Sequence, residues 1–366
     1  MDRRQLLKQA GLAAATFALS RDLFATEIYK PTYLKPITSP IIKLGSNENP
    51  HGPSPQAIKA MTETIALSNR YPWDSTMRLR EKIAGAYRLT AEHIALSAGS
   101  SELLGTISLM ASLQKGYAIA PTPTFRLWMP AAKTVGLPVE LVPLTKDKKT
   151  DLQRMKDSIT AQTKMVYLCN PNNPVGNIIP ANELETFIKD VAPTCIVLLD
   201  EAYTEFSNEP SMIKWVNDYP NLIVAKTFSK IYGLAGARAG YAVAHPSTIK
   251  KLNDLQPWSN AGIGAVTLAG AIASFNDQNF IRHCRTENEK AKKIFTDALS
   301  KTGMSFIPSH TSFVYFDTDS FKTDVRALLE KNNIIGCRSF EEGTGWRRLS
   351  IGTAEEMTAV AKVLTS

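Results

Sequence analysis

The sequence predicts an α/β fold: a large domain with a mainly parallel sheet sandwiched by helices, then a smaller C-terminal α+β domain. Three observations predict it. Three short apolar runs, Met165-Val-Tyr-Leu-Cys169, Cys195-Ile-Val-Leu-Leu-Asp200 and Leu222-Ile-Val-Ala225, have the length and composition of buried strands. Strand and helix patterns alternate up to about residue 245, as parallel strands with crossover helices require. From Pro246 the character changes to two helical patterns followed by separate strand patterns.

The bulk properties bound the answer. The 366 residues, 44% of them hydrophobic, suffice for a large core, or one large and one small domain. The net charge of +8 is spread out with no basic block, which disfavours nucleic acid and suits anionic ligands. None of the four cysteines forms a C-x-x-C pair; Cys169 and Cys195 lie in apolar runs and read as buried small hydrophobes. The five histidines are scattered, so no metal site is expected.

In chain order, residues 1–25 carry Arg3-Arg4 and Lys8 before a short apolar stretch, the pattern of a twin-arginine export signal. The apolar run is too short for a membrane span, and an amphipathic N-terminal helix is the alternative. Residues 26–55 are Pro-rich and read as an extended arm. A domain at 56–250 then opens with helices over 55–67 and 77–87, separated by Arg70-Tyr71-Pro72. Ile94-Ala-Leu-Ser-Ala-Gly-Ser-Ser-Glu102 leads into an apolar helix over 103–113. Short strands follow at 117–120 and 138–143, with Phe125 between them and a solvated charged turn at 146–150 after them. The three buried strands and the Gly-rich run 230–240 complete this domain. The small domain, 251–366, has helices over 265–275 and 279–301 and strands at 312–316 and 347–351.

The chemistry clusters where strands end. Asn173, Asp200 with Tyr203, and Lys230 all follow apolar runs, and ligands of parallel sheets sit at the carboxyl ends of strands. A carboxylate such as Asp200 is costly to bury without a cationic partner. Thr227, Ser229, Lys230 and Arg238, on a segment that Gly236 and Gly240 leave thin, could hold a phosphate and offer an amine to a carbonyl. Ser100 and Ser101, small residues at a helix start, expose backbone N–H groups to an anion. Each feature has a plainer reading: a basic surface loop, an ordinary N-cap, an aromatic in the core.

Taken together, Asn170-Pro-Asn-Asn-Pro-Val-Gly176, Asp200-Glu-Ala-Tyr203, Ser229-Lys230 and the Gly-flanked Arg238 resemble fold-type I pyridoxal-phosphate aminotransferases. Asn47-Glu-Asn-Pro50 and Arg70-Tyr-Pro72 point to the histidinol-phosphate aminotransferase branch. The resemblance runs from about residue 40 to the C-terminus and rests on four motifs in the right order. It implies that Lys230 forms a Schiff base with pyridoxal 5'-phosphate and then moves a proton at the substrate Cα. It implies that Asp200 pairs with the pyridine nitrogen, Asn173 and Tyr203 with the ring oxygen, and that Phe125 stacks on the ring. Thr227, Ser229, Arg238, Ser100 and Ser101 would hold the phosphate, with Tyr71 reaching it across a homodimer. Arg348 would take the substrate α-carboxylate, with Arg347 as the adjacent competitor; Arg338 would take a distal anion, and Asn49 would approach the substrate. Val175 stands where the family has Thr, and Ser101 where it often has Asp.

The expected function is transfer of an amino group between an amino acid or histidinol-phosphate-like amino-phosphate and a 2-oxo acid. Three alternatives stay open here: an aromatic amino-acid aminotransferase, a phospho-amino-acid decarboxylase, and a non-catalytic ligand sensor. A periplasmic location is expected from the signal, with cytoplasmic as its alternative.

Overall fold

The computed structural model of the chain describes residues 41–366. The expected export signal and the first part of the arm lie outside the described residues. Among those described, no helix is long and apolar enough to cross a membrane.

A seven-stranded sheet forms the centre. Its strands are β2 (Ile94–Ser97), β3 (Tyr117–Thr122), β4 (Val139–Pro143), β5 (Thr163–Cys169), β6 (Ile196–Asp200), β7 (Leu222–Thr227) and β8 (Gly240–Ala244), the short β1 (Ile42–Lys43) lying elsewhere. The order is β2-β8-β7-β6-β5-β3-β4, parallel from β7 to β4, with β8 antiparallel to both its neighbours. A second, antiparallel sheet has the order β12-β13-β10-β9, made of β9 (Phe306–Ile307), β10 (Phe313–Asp317), β12 (Arg338–Ser339) and β13 (Trp346–Ser350). β11 (Ile334–Ile335) pairs in parallel with β1, so the end of the arm is stitched into the small sheet's layer. The expected architecture is present.

The period of two sorts the side chains. Val166, Leu168, Val197, Leu199, Leu222 and Val224 face one core, under helices Trp73–Ala86, Ala181–Val191 and Ala265–Asn276. Met165, Tyr167, Cys169, Ile196, Leu198, Ile223 and Ala225 face another, against helix Ser100–Ser112. The second face carries the site. A third core, with Phe295, Leu299, Val314, Phe316 and Leu349, lies under the small sheet.

The expected boundary at residue 250 does not coincide with a change of core. Helix Ala265–Asn276 packs with the large sheet, through Leu268, Ala271 and Ile272. The handover occurs inside helix Gln278–Lys301: Phe280 and Cys284 join the first core, Ala291, Phe295 and Leu299 the third. One helix spans both because its apolar stripe continues at helical spacing through 24 residues, leaving no linker. The four cysteines are buried and unpaired.

Candidate active site

One cavity of about 470 Å³ opens at the carboxyl ends of β5, β6 and β7. It collects Lys230, Asp200, Asn173, Tyr203 and Phe125 with Thr227, Ser229, Arg238, Ser100 and Ser101, and on the small-sheet side Arg338 and Arg348.

Asp200 ends β6 and is 3% exposed. Its carboxylate accepts from the Tyr167 hydroxyl at 3.0 Å and the Ala202 N–H at 3.2 Å. Among the described residues it has no ion-pair partner. Burial therefore dominates: its pKa rises to about 6 despite the Tyr167 and Ala202 hydrogen bonds and the nearby Lys230. Among the described residues, none supplies the cationic partner that its burial calls for.

Lys230 reaches the cavity from the loop after β7, and its Nζ donates to the Ser46 carbonyl at 3.2 Å. Burial and the Arg348 charge lower its pKa to about 8, so the amine is within reach of neutral form near physiological pH. Tyr203 receives two amides at its hydroxyl: Asn47 Nδ2 at 2.9 Å and Asn173 Nδ2 at 3.4 Å. Burial raises its pKa, keeping the phenol neutral.

A polar cup lies beside this group. Helix Ser100–Ser112 starts at Gly99 with no side-chain cap, leaving first-turn N–H groups for an anion. Thr227 donates its hydroxyl to Ser229 Oγ at 3.0 Å, and Arg238 Nη1 lies 3.5 Å from that oxygen. Arg238 holds a left-handed φ of 61°, unusual for a non-glycine residue. The close packing explains two glycines: a Cβ on Gly99 would sit 2.3 Å from Arg238 Nη2, and one on Gly240 2.5 Å from the Ser100 nitrogen.

Arg348 is 4% exposed. Its Nη1 donates to Asn173 Oδ1 at 2.6 Å and its Nη2 to the Gly45 carbonyl at 2.7 Å, while Nε has no partner. Burial lowers its pKa to about 10. Arg347 points to the opposite face of β13 and donates to the Thr344 carbonyl at 2.6 Å, so strand alternation separates the two candidates. Arg338 sits directly across from Arg348 in the β12–β13 register, hence on the same face.

Asn49 is not brought into the cavity, and Tyr71, expected to act across a homodimer, lies outside the cavity of its own chain. The Asn49 amide donates to the Ile231 carbonyl at 2.7 Å and to Cys284 Sγ, pinning the arm instead of facing the site. Tyr71 is 69% exposed and packs with Trp73 and Trp258, at centroid distances of 5.7 and 5.1 Å. Reasoning from sequence also passed over Asn47, whose side chain joins Tyr203 to Ser350 Oγ. It passed over Tyr167, although that residue lies two before Cys169 and so shares its face, beside Asp200 on β6. Phe340, which packs on the Arg348 guanidinium at 4.7 Å, left no signal in the sequence.

The profile of the family "Aminotransferase class I and II" matches residues 39–364. A histidinol-phosphate aminotransferase of Brevibacillus brevis is 36% identical over 329 residues, covering 88% of this chain and 89% of the relative. Histidinol-phosphate aminotransferase 2 of Carboxydothermus hydrogenoformans is 35% identical, covering 86% and 87%. The crystal structure of histidinol-phosphate aminotransferase from Sinorhizobium meliloti in complex with pyridoxal-5'-phosphate superposes with a TM-score of 0.83 at 25% identity, covering 92% of this chain and 96% of that one. A cavity that sets a lysine, an unpaired buried acid and an anion cup at three parallel strand ends is thus accompanied by sequence likeness along nearly all of the described chain, and the chain belongs to the class I and II aminotransferases.

Proposed function

We propose that this chain moves an amino group from a phosphate-bearing, histidinol-phosphate-like amine to a 2-oxo acid, with pyridoxal phosphate as cofactor. The residues present fit that cofactor. Asp200 is a buried carboxylate without a cation, which a protonated pyridine nitrogen would satisfy. The Ser100, Ser229 and Arg238 cup offers donors to a phosphate, and Phe125 lines the same cavity.

When bound, the cofactor supplies an aldehyde carbon for the amino group and a ring that withdraws electrons from the substrate Cα. The chain supplies the rest. Asp200 favours the protonated ring nitrogen by charge. Asn173 and Tyr203 would offer donors to the ring oxygen. Lys230 titrates near pH 8, so its amine can take a proton at Cα and give it back without leaving the site. Arg348, fixed by Asn173 and Gly45, presents a desolvated guanidinium to the substrate's anionic group.

A single observation carries the substrate class. Arg338 and Arg348 face each other across adjacent strands, an arrangement of like charges that costs stability unless an anion lies between them. A phosphate, with up to two charges and three acceptor oxygens, suits both. The exposed Tyr71, Trp73 and Trp258 cluster supports a homodimer, and the Arg3-Arg4 pattern supports export.

Half-reaction spectra test the reading. The purified protein is expected to absorb in the visible, and Lys230→Ala to lose that band together with at least roughly 10³-fold in turnover. Histidinol phosphate is expected to bleach the band at lower concentration than aromatic or acidic amino acids. Preference for an aromatic donor would overturn the substrate class, and release of carbon dioxide in place of an oxo product would overturn the transfer reaction.

A further inference from the structure

The turn at 146–150, expected from sequence to be solvated and structural only, contacts the loop that carries the cavity-lining residue Phe340. Lys148 holds a left-handed φ of 61° and its side chain is only 15% exposed. Its Nζ donates to both carboxylate oxygens of Glu341, at 2.8 Å each. Glu341 lies in the loop between β12 and β13 and also accepts from the Tyr315 hydroxyl at 2.6 Å. The Lys148 ammonium sits 5.0 Å from the centre of the Trp346 ring, which stacks on Tyr315. The next residue back along the loop is Phe340, whose ring packs on Arg348 and lines the cavity. The circuit closes through the large sheet. The Asn177 amide donates to the Lys148 carbonyl at 2.5 Å, and Asn177 follows the segment whose Asn173 receives Arg348.

We propose that Lys148 and Glu341 are positioning residues that pin the 340–345 loop so that Phe340 covers Arg348, and that they thereby set affinity for the substrate's anionic group. The inference rests on the assignment of Arg348 to that group. The ion pair has the properties the task needs. It is largely shielded, it uses both carboxylate oxygens, and Tyr315 fixes its orientation, unlike a mobile surface pair. Aromatic rings beside the guanidinium, Phe340 at 4.7 Å and Phe313 at 5.3 Å, exclude water from it, which strengthens pairing with an anion that meets its in-plane N–H edge. Neither Lys148 nor Glu341 lines the cavity, so neither touches the reacting atoms.

The test uses the full chain loaded with pyridoxal phosphate. Lys148→Met is expected to raise KM for the amino donor about tenfold while kcat stays within about twofold, with the visible band unchanged. Lys148→Arg, which keeps the charge and a two-point contact, is expected to restore most of the affinity. The effect is expected to run through Phe340, so Lys148→Met combined with Phe340→Ala raises KM no further than Phe340→Ala alone. An unchanged KM in Lys148→Met, or full additivity in the double variant, overturns the inference and leaves the transaminase reading standing. A wild-type band that responds to no amino donor overturns both.

Discussion

Asp200 and Glu201 are neighbours in the chain and opposites in their surroundings. Both are 3% exposed. Glu201 meets Lys226 Nζ at 3.3 Å, and Glu205 meets the same ammonium at 2.9 Å. Burial alone would lower the Lys226 pKa, but Glu205, Tyr87 and Glu201 hold it well above its usual value. In that cluster both carboxylates find a cation within the fold. Asp200, on the other side of the strand end, has a phenol and one backbone N–H but no cation. The difference separates a charge buried for structure from one buried for a ligand: the first finds its counter-charge in the chain, the second is left raised and waiting.

Three perturbations bear on that contrast. The largest effect is expected on the structural side. Lys226→Met leaves the buried Glu201 and the half-buried Glu205 without their cation and should cost about 3–5 kcal/mol in denaturant unfolding, without altering the visible band of the folded fraction. Stability equal to wild type would break the comparison. On the ligand side, Asp200→Asn keeps the shape but removes the charge, and should lower kcat by roughly 10²- to 10³-fold, seen in steady-state turnover. The smallest effect is one of pH on the cofactor-free chain. The Asp200 carboxyl has a folded pKa of about 6, above its ordinary 3.8, so the folded state holds the proton more tightly than the unfolded state. Its penalty is absent below about pH 4 and grows as pH rises through 6. Cofactor-free Asp200→Asn should therefore exceed wild type by about 2–3 kcal/mol above pH 7 and match it near pH 4, measured by thermal melts across that range. A difference independent of pH would show that burial does not raise the Asp200 pKa, and one of opposite sign that Asp200 is already paired.

The legible part of the site was the part built from contiguous segments. Lys230, Asp200, Asn173 and Tyr203 each sit just past an apolar strand, so a period-two pattern and a short polar motif place them together. The choice of Arg348 over Arg347 came from the family resemblance, and strand alternation puts the two on opposite faces. Asn49 illustrates the opposite case. The arm has no periodicity, and which of Asn47 and Asn49 turns inward is decided by Ser350 and Tyr203 on one side and Ile231 on the other. The expected boundary at 250 and the change of core differ for a similar reason: helix Ala265–Asn276 is apolar almost all round, and its pattern does not say which sheet it covers.

The sequence by itself determined the parallel sheet, the order of its strands' functional ends, and the residue types able to hold an amine-reactive, phosphate-bearing cofactor. These follow from local hydrophobic period and from motifs a few residues long. The tertiary structure alone decided that Asp200 lacks a cation while Glu201 has one, that Arg338 opposes Arg348, and that Lys148 reaches across 193 positions to Glu341. Those facts depend on which distant segments meet. Meeting is governed by the burial and packing of the whole chain, which no local pattern encodes.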